Sequence, residues 1–424
     1  MVREWYATTK EFVMKRIAVS LLVVCAVCAG AFAQTSGTAP RSYYVSASGD
    51  DSNNGRSEQA PFKTLGRAAE AAGAGVIKTI TVIGTVGGGY VHVGEGGDDE
   101  ILVTGKPNAN EAEKAVITGN DWQSLHIRGN VRFTHIRLTR GGLDINGVLT
   151  LGADVVFSNL DTGDGEIYLS PESTLVMTDN ATIADYSVGS GHSYRDNSKV
   201  IMSGNATITN SRAVSVISVI TVIMSGNAKV SNNRQTGVNA RNVTMSENAE
   251  ISGNGGYGVS SGEGSVILSG NARIINNGGG VNLRESTLSL SGNARISNNT
   301  TRENGGGVYL TGKCTITLSG NAVISGNAAK NGGGVFLHRG YGDAITTLTL
   351  EGGGISGNKA EYGAGVYVNG DGCTFTHKGG TVTGNEAEFV GGGVYVRQGG
   401  NYNAQGGTVT GNTAGDGGAN VFRQ

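Results

Sequence analysis

Six ionisable residues, Asp161, Asp164, Glu166, Asp185, His192 and Arg195, fall within two neighbouring stretches of this 424-residue chain, with Asp196 directly after them. Carboxylates gathered beside an imidazole and a guanidinium can move a proton on a sugar and stabilise the charge that develops. They are the catalytic candidates, and cleavage of an acidic polysaccharide or metal binding is the chemistry they would serve. The same residues also suit solvated loops. Asp161-Thr162-Gly163-Asp164-Gly165 reads as a turn, and Asp154 stands where later units carry Asn. Downstream the supply of acid–base groups ends: no Asp occurs between Asn197 and Gly342, and the Glu residues there share no repeat position. The six histidines show no ligand spacing with Cys or carboxylates, and the Gly-Gly-Gly runs lack the Lys-Ser or Lys-Thr of a phosphate loop. Gly49-Asp50-Asp51-Ser52-Asn53-Asn54-Gly55 reads as a turn rather than a calcium loop, since no Glu completes a ligand spacing. No cofactor and no metal is expected.

A second set of candidates is aromatic. Tyr309, Tyr367 and Tyr395, with Phe336 in the intervening unit, recur at one place in successive units and form a single column on an outer face. Such a column either stacks ring on ring to join the units or offers a strip for sugar rings. Both sets acquire meaning only from the elements that hold them.

Those elements are repeats. Ser-Gly-Asn-Ala starts at Ser203, Ser225, Ser269, Ser291 and Ser319, with a degenerate copy at Ser246, so the unit is 21 to 28 residues long. A fixed period of that length marks a stacked solenoid. Within Gly305 to Asn327, three short runs alternate at period two: Val308 and Leu310 around Tyr309, Ile316 and Leu318 around Thr317, Ala322 and Ile324 around Val323. Period two separates an inner apolar set from an outer set. Three short strands close one coil, and each coil pairs with its neighbours. Asn180, Asn205, Asn227, Asn248, Asn271, Asn293 and Asn321 hold one corner position in consecutive units and predict an amide ladder along the stack. Pro40, Pro61, Pro107 and Pro171 all precede the regular repeats, as expected where every strand is central.

The predicted fold is all-β: a right-handed parallel β-helix with three short strands per coil and an N-terminal capping helix. Residues 1–33 read as an export signal, 34–75 as an N-terminal segment with the capping helix, and 76–424 as the β-helix, irregular over 76–197 and regular over 198–424. Lys15-Arg16, the apolar run Ile17–Ala29 and Ala31-Phe32-Ala33 carry the signal reading. Pro61 is expected to open the helix, with Phe62, Leu65, Ala69 and Ala72 on its buried face. No segment beyond the signal is long and apolar enough to span a membrane. Cys314 and Cys373 sit at equivalent places two units apart, with Thr346 at the matching place between them, and are expected to be unpaired and buried. Net charge is −2 and the basic residues are scattered singly, which excludes a nucleic-acid face.

Tyr43-Tyr44-Val45-Ser46-Ala47-Ser48-Gly49-Asp50 through Gly55, followed by Ala60-Pro61-Phe62-Lys63-Thr64-Leu65, resembles the N-terminal segment of secreted right-handed β-helix proteins of the pectate-lyase-like superfamily. The Gly-Gly-Gly-Val-Tyr and Ile-Ser-Gly-Asn phrases are similar to those of bacterial polymorphic outer-membrane and adhesin-like repeat proteins. The resemblance covers nearly all of the chain after residue 33 and implies fold more than activity, because this fold hosts enzymes and non-enzymatic modules alike. The expectation is an exported, extracellular, cell-surface, outer-membrane or periplasmic protein with a structural or adhesive role. Its partners would be glycans or host or envelope proteins, with self-association through the last coil. The alternative is a polysaccharide lyase or glycoside hydrolase.

Overall fold

The computed structural model describes residues 41–72, 78–88, 91–93, 100–106, 114–119, 125–158, 165–190, 196–213, 215–340 and 342–424. The export-signal segment, together with Asp161, Asp164, His192 and Arg195, lies outside them. Pro40–Gln424 forms one compact unit.

Every strand pairing is parallel, and strands join their counterparts one coil away in a 25-stranded sheet, a 14-stranded sheet and a short 3-stranded sheet. The large sheet carries the first and second strands of the coil. In four coils these fuse into single long strands, Leu125–Thr134, Leu143–Leu151, Ser215–Met224 and Thr236–Met245. The 14-stranded sheet carries the third strand. In the coil over 305–327, strands fall at Val308–Thr311, Thr315–Leu318 and Val323–Ser325. Val308, Leu310, Ile316, Leu318, Ala322 and Ile324 are all fully buried there, which is the inner set that the alternation predicts.

Register places like over like. Val243, Val266, Leu288, Ile316 and Leu348 occupy consecutive coils of the second strand. Ile251, Ile274, Ile296, Ile324 and Ile355 do so in the third. Each such side chain contributes about 1.5–3 kcal/mol on burial, so the hydrophobic term is renewed at every coil.

The helix α1 runs Leu65–Ala72 and buries Leu65, Ala68, Ala69 and Ala72. It starts four residues later than Pro61. Phe62 instead bridges Val45 and stacks on Tyr43, and Thr64 caps the helix by accepting the Arg67 N–H at 3.2 Å. Asp51 in turn accepts the backbone N–H groups of Lys63 and Thr64, each at 2.9 Å. The Asp50 loop is a turn: Asp50 takes the Ser52 N–H and hydroxyl, and these two bonds hold its carboxyl below the usual range. Strand pairing begins before the helix, because Arg41–Ser46 pairs with Lys78–Ile83.

The corner ladder runs from Asn205 to Asn321 and breaks between Asn180 and Asn205. Asn227, Asn248, Asn271, Asn293 and Asn321 each donate to the preceding Asn Oδ1 at 3.0–3.2 Å, and Asn180 donates to Asp154. A second, buried ladder is new. From Asn233 through Asn254, Asn277, Asn299, Asn327, Asn358 and Asn385 to Asn412, each amide donates to the next Oδ1 at 2.7–3.0 Å. From Asn254 onward the second amide proton goes to a backbone carbonyl, as from Asn299 to Ile274, so these buried groups have partners. Cys314 and Cys373 are free and buried with Thr346 in register between them, and burial pushes both thiols up, Cys373 to about 11.

Candidate functional site

One outward column of the first strand brings together the residues with chemistry in them. It passes in register through His92, His126, Asp144 and Tyr168, then through small polar residues such as Ser218, Asn239, Ser260 and Asn282, and ends in Tyr309, Phe336, Tyr367, Tyr395 and Phe422. The inward neighbours Ile127, Ile145 and Val281 are fully buried. Strand alternation therefore fixes which way this row faces.

At its N-terminal end, His126 Nδ1 lies 3.0 Å from Asp144 Oδ2, and the His92 and His126 rings stand 5.0 Å apart. Desolvation, then the charges of Arg128 and His126, hold His92 below the ordinary imidazole range. Asp144 Oδ1 is buried without a hydrogen-bond partner, and Tyr168 follows one coil on, exposed. A carboxylate orienting an imidazole beside a phenol can transfer protons.

This group was not visible in the sequence, because coil length upstream is irregular: 18 residues separate His126 from Asp144, short of any regular unit. Of the six ionisable candidates, Glu166 lies on the strand of Tyr168, two residues before it, facing outward. Asp185 sits elsewhere, at a corner with φ 65°, in the column that Asn210, Asn232 and Gly253 continue. Asp196 is buried and bonded to the Ser190 hydroxyl and the Ser198 N–H.

The aromatic end of the row is a continuous stack. Ring centroids are 5.7 Å apart from Tyr309 to Phe336, then 4.9, 4.6 and 5.6 Å through Tyr367 and Tyr395 to Phe422. Phe336 and Tyr395 are 5% and 7% exposed, while Tyr309 and Tyr367 are half-buried. Burial raises both tyrosine hydroxyls, that of Tyr367 to about 12. The Gly-Gly-Gly phrase exists to seat these rings. Gly305, Gly332 and Gly391 have φ of 70°, 61° and 71°, and a Cβ on any of them would stand 2.7–2.8 Å from the Cβ of the ring four residues on.

Among the described residues no three His, Cys, Asp or Glu side chains are placed to hold a metal ion, and no helix is long and apolar enough to cross a membrane. The described residues thus define a right-handed parallel β-helix. No protein-family profile and no curated protein matches the sequence. Among solved structures, the chain is similar to the A-module of the Azotobacter vinelandii mannuronan C-5 epimerase AlgE4, over 83% of this chain and 93% of that one, at 15% identity and a TM-score of 0.32.

Proposed function

We propose that this protein is an exported or surface-displayed β-helix with a structural or adhesive role, binding glycans or envelope or host proteins through its repetitive polar face. The observation that carries the reading is the register of identical hydroxyls: Thr315, Thr347 and Thr374 stand on consecutive coils, with Thr317, Thr349 and Thr376 beside them. Over these three coils the same group is offered at each strand spacing of about 4.8 Å, which suits several weak contacts acting together. Several of the charges are engaged between coils, as in Lys229, Glu250 and Arg273 or Lys359 and Glu386. A glycan array, run with intact protein and with Thr317→Val/Thr349→Val, tests the reading. Binding that falls in the variant while its melting stays cooperative supports it. An array with no hits, together with no binding to cell envelopes, would end it.

A second reading rests on the His126–Asp144 pair with Tyr168 and Glu166 on the same face. There the protein would act on polysaccharide by proton transfer. Turnover on a polysaccharide panel, lost in Asp144→Asn, is its signature, and an inert wild-type protein removes it.

A further inference from the structure

Beside the aromatic stack, the turns that leave the first strand open a recess of about 710 Å³, lined by His338, Arg339, Asn369, Asp371, Arg397 and Gln398 together with glycines. Gly340, Gly370 and Gly399 have φ of 78°, 81° and 84°, so three successive coils turn here without side chains and leave the space open. His338, Asn369 and Arg397 each follow a ring of the stack by two residues, and the His338 ring lies 6.4 Å from that of Phe336 at 22°. The recess therefore opens along the edge of the aromatic column.

Its charges stand apart from those that neighbouring coils join in ion pairs, as Arg273 does Glu250 at 2.7 Å and Lys378 does Glu351 at 3.4 Å. Here two guanidiniums and a carboxylate share one recess, and among the described residues neither Arg339 nor Arg397 nor Asp371 makes an ion pair. The Arg397 guanidinium donates to the Asn369 amide oxygen at 3.2 Å. Arg339 and Arg397 belong to coils two apart, about 9.6 Å at the strand spacing, with Asn369 and Asp371 on the coil between. An anion with three divergent oxygens can accept from both guanidiniums at once and still present a third oxygen to the Asn369 amide, one acceptor more than a carboxylate has. Asp371 and Gln398 remain to bond sugar hydroxyls.

We propose that this recess binds a sulfated sugar, with the sulfate bridging Arg339 and Arg397 and the ring hydroxyls meeting Asp371 and Gln398. The assignment rests on the glycan-binding reading above and narrows it to one site and one ligand class. Calorimetric titration of the full chain with a heparin-derived oligosaccharide, its chemically desulfated form and a neutral oligosaccharide that scores on the array tests it. The sulfated ligand should bind, and Arg339→Ala or Arg397→Ala should each weaken it about tenfold or more. Arg295→Ala, which removes an exposed arginine on the third strand, should leave it unchanged, and melting curves verify that all variants are folded. Equal affinity for the desulfated ligand overturns the sulfate assignment. Unchanged affinity in both recess variants overturns the site. If the sulfated ligand does not bind, this proposal fails, while the broader reading stands on the neutral ligand and falls only with an empty array and no binding to cell envelopes.

Discussion

His377 occupies an inward position that Leu350 fills one coil below and Ala404 one coil above. It is 1% exposed, its ring stacks on Phe375 at 5.5 Å, and its Nδ1 lies 3.2 Å from the Tyr402 hydroxyl. Burial is the larger influence and holds the imidazole below its ordinary value, against smaller opposing contributions from the backbone at Gly380 and Gly379. A value lower in the folded than in the unfolded chain means that the neutral ring stabilises the fold in full above the ordinary histidine range. That contribution is lost as pH falls through the lowered value. The melting temperature should therefore drop between pH 7 and pH 5 more in the wild type than in His377→Leu, which restores the aliphatic column. Parallel pH dependence in the two proteins would show that His377 titrates without consequence for the core.

The two asparagine ladders look alike as elements and differ in energy. Asn321 is exposed, and its loss leaves neighbours that water can satisfy, so Asn321→Ala should cost about 0.5 kcal/mol or less. Asn327 is fully buried. It accepts the backbone and amide N–H of Asn299, and it donates to Asn358 and to the Ile296 carbonyl. Asn327→Ala strands the Asn299 backbone N–H and one of its amide protons, at about 1–3 kcal/mol for each buried group left unpaired, while Asn358 Oδ1 keeps the backbone N–H of residue 327; the change should lower the denaturation midpoint far more than Asn321→Ala. Equal midpoints for the two variants would deny the inner ladder its role. The outer ladder was readable because Ser-Gly-Asn-Ala is contiguous and nearly constant. The inner one was disguised as turn filler. Its preceding residue must adopt φ near 60°, which Asn232, Gly253, Asn276 and Gly326 all do, so the phrase alternates between Asn-Asn and Gly-Asn. Only the second Asn is constant. Strand alternation likewise revealed the core and the aromatic column, whereas the His126–Asp144 pair depends on a register that irregular coils conceal.

At the scale of the whole molecule, stability accumulates coil by coil, since each unit contacts chiefly the ones above and below. The fold should then tolerate loss of a complete unit and reject loss of part of one. Between Asn271 and Asn293 the period is 22 residues, and removing 269–290 would join Leu268 to Ser291 with every column intact: Asn248 would meet Asn293, Asn254 would meet Asn299, and Ile251 would meet Ile296. This protein should be folded and cooperative, with a smaller dependence of unfolding free energy on denaturant, because less surface is exposed on unfolding. Removing 269–279 instead would rotate each later column out of register, setting outward residues over inward ones, and should abolish folding. Circular dichroism and urea titration of the two deletions decide the matter. If the half-unit deletion folds as well as the full-unit one, register between coils does not govern this protein, and the hydroxyl rows, the aromatic stack and the arginine recess lose their common basis.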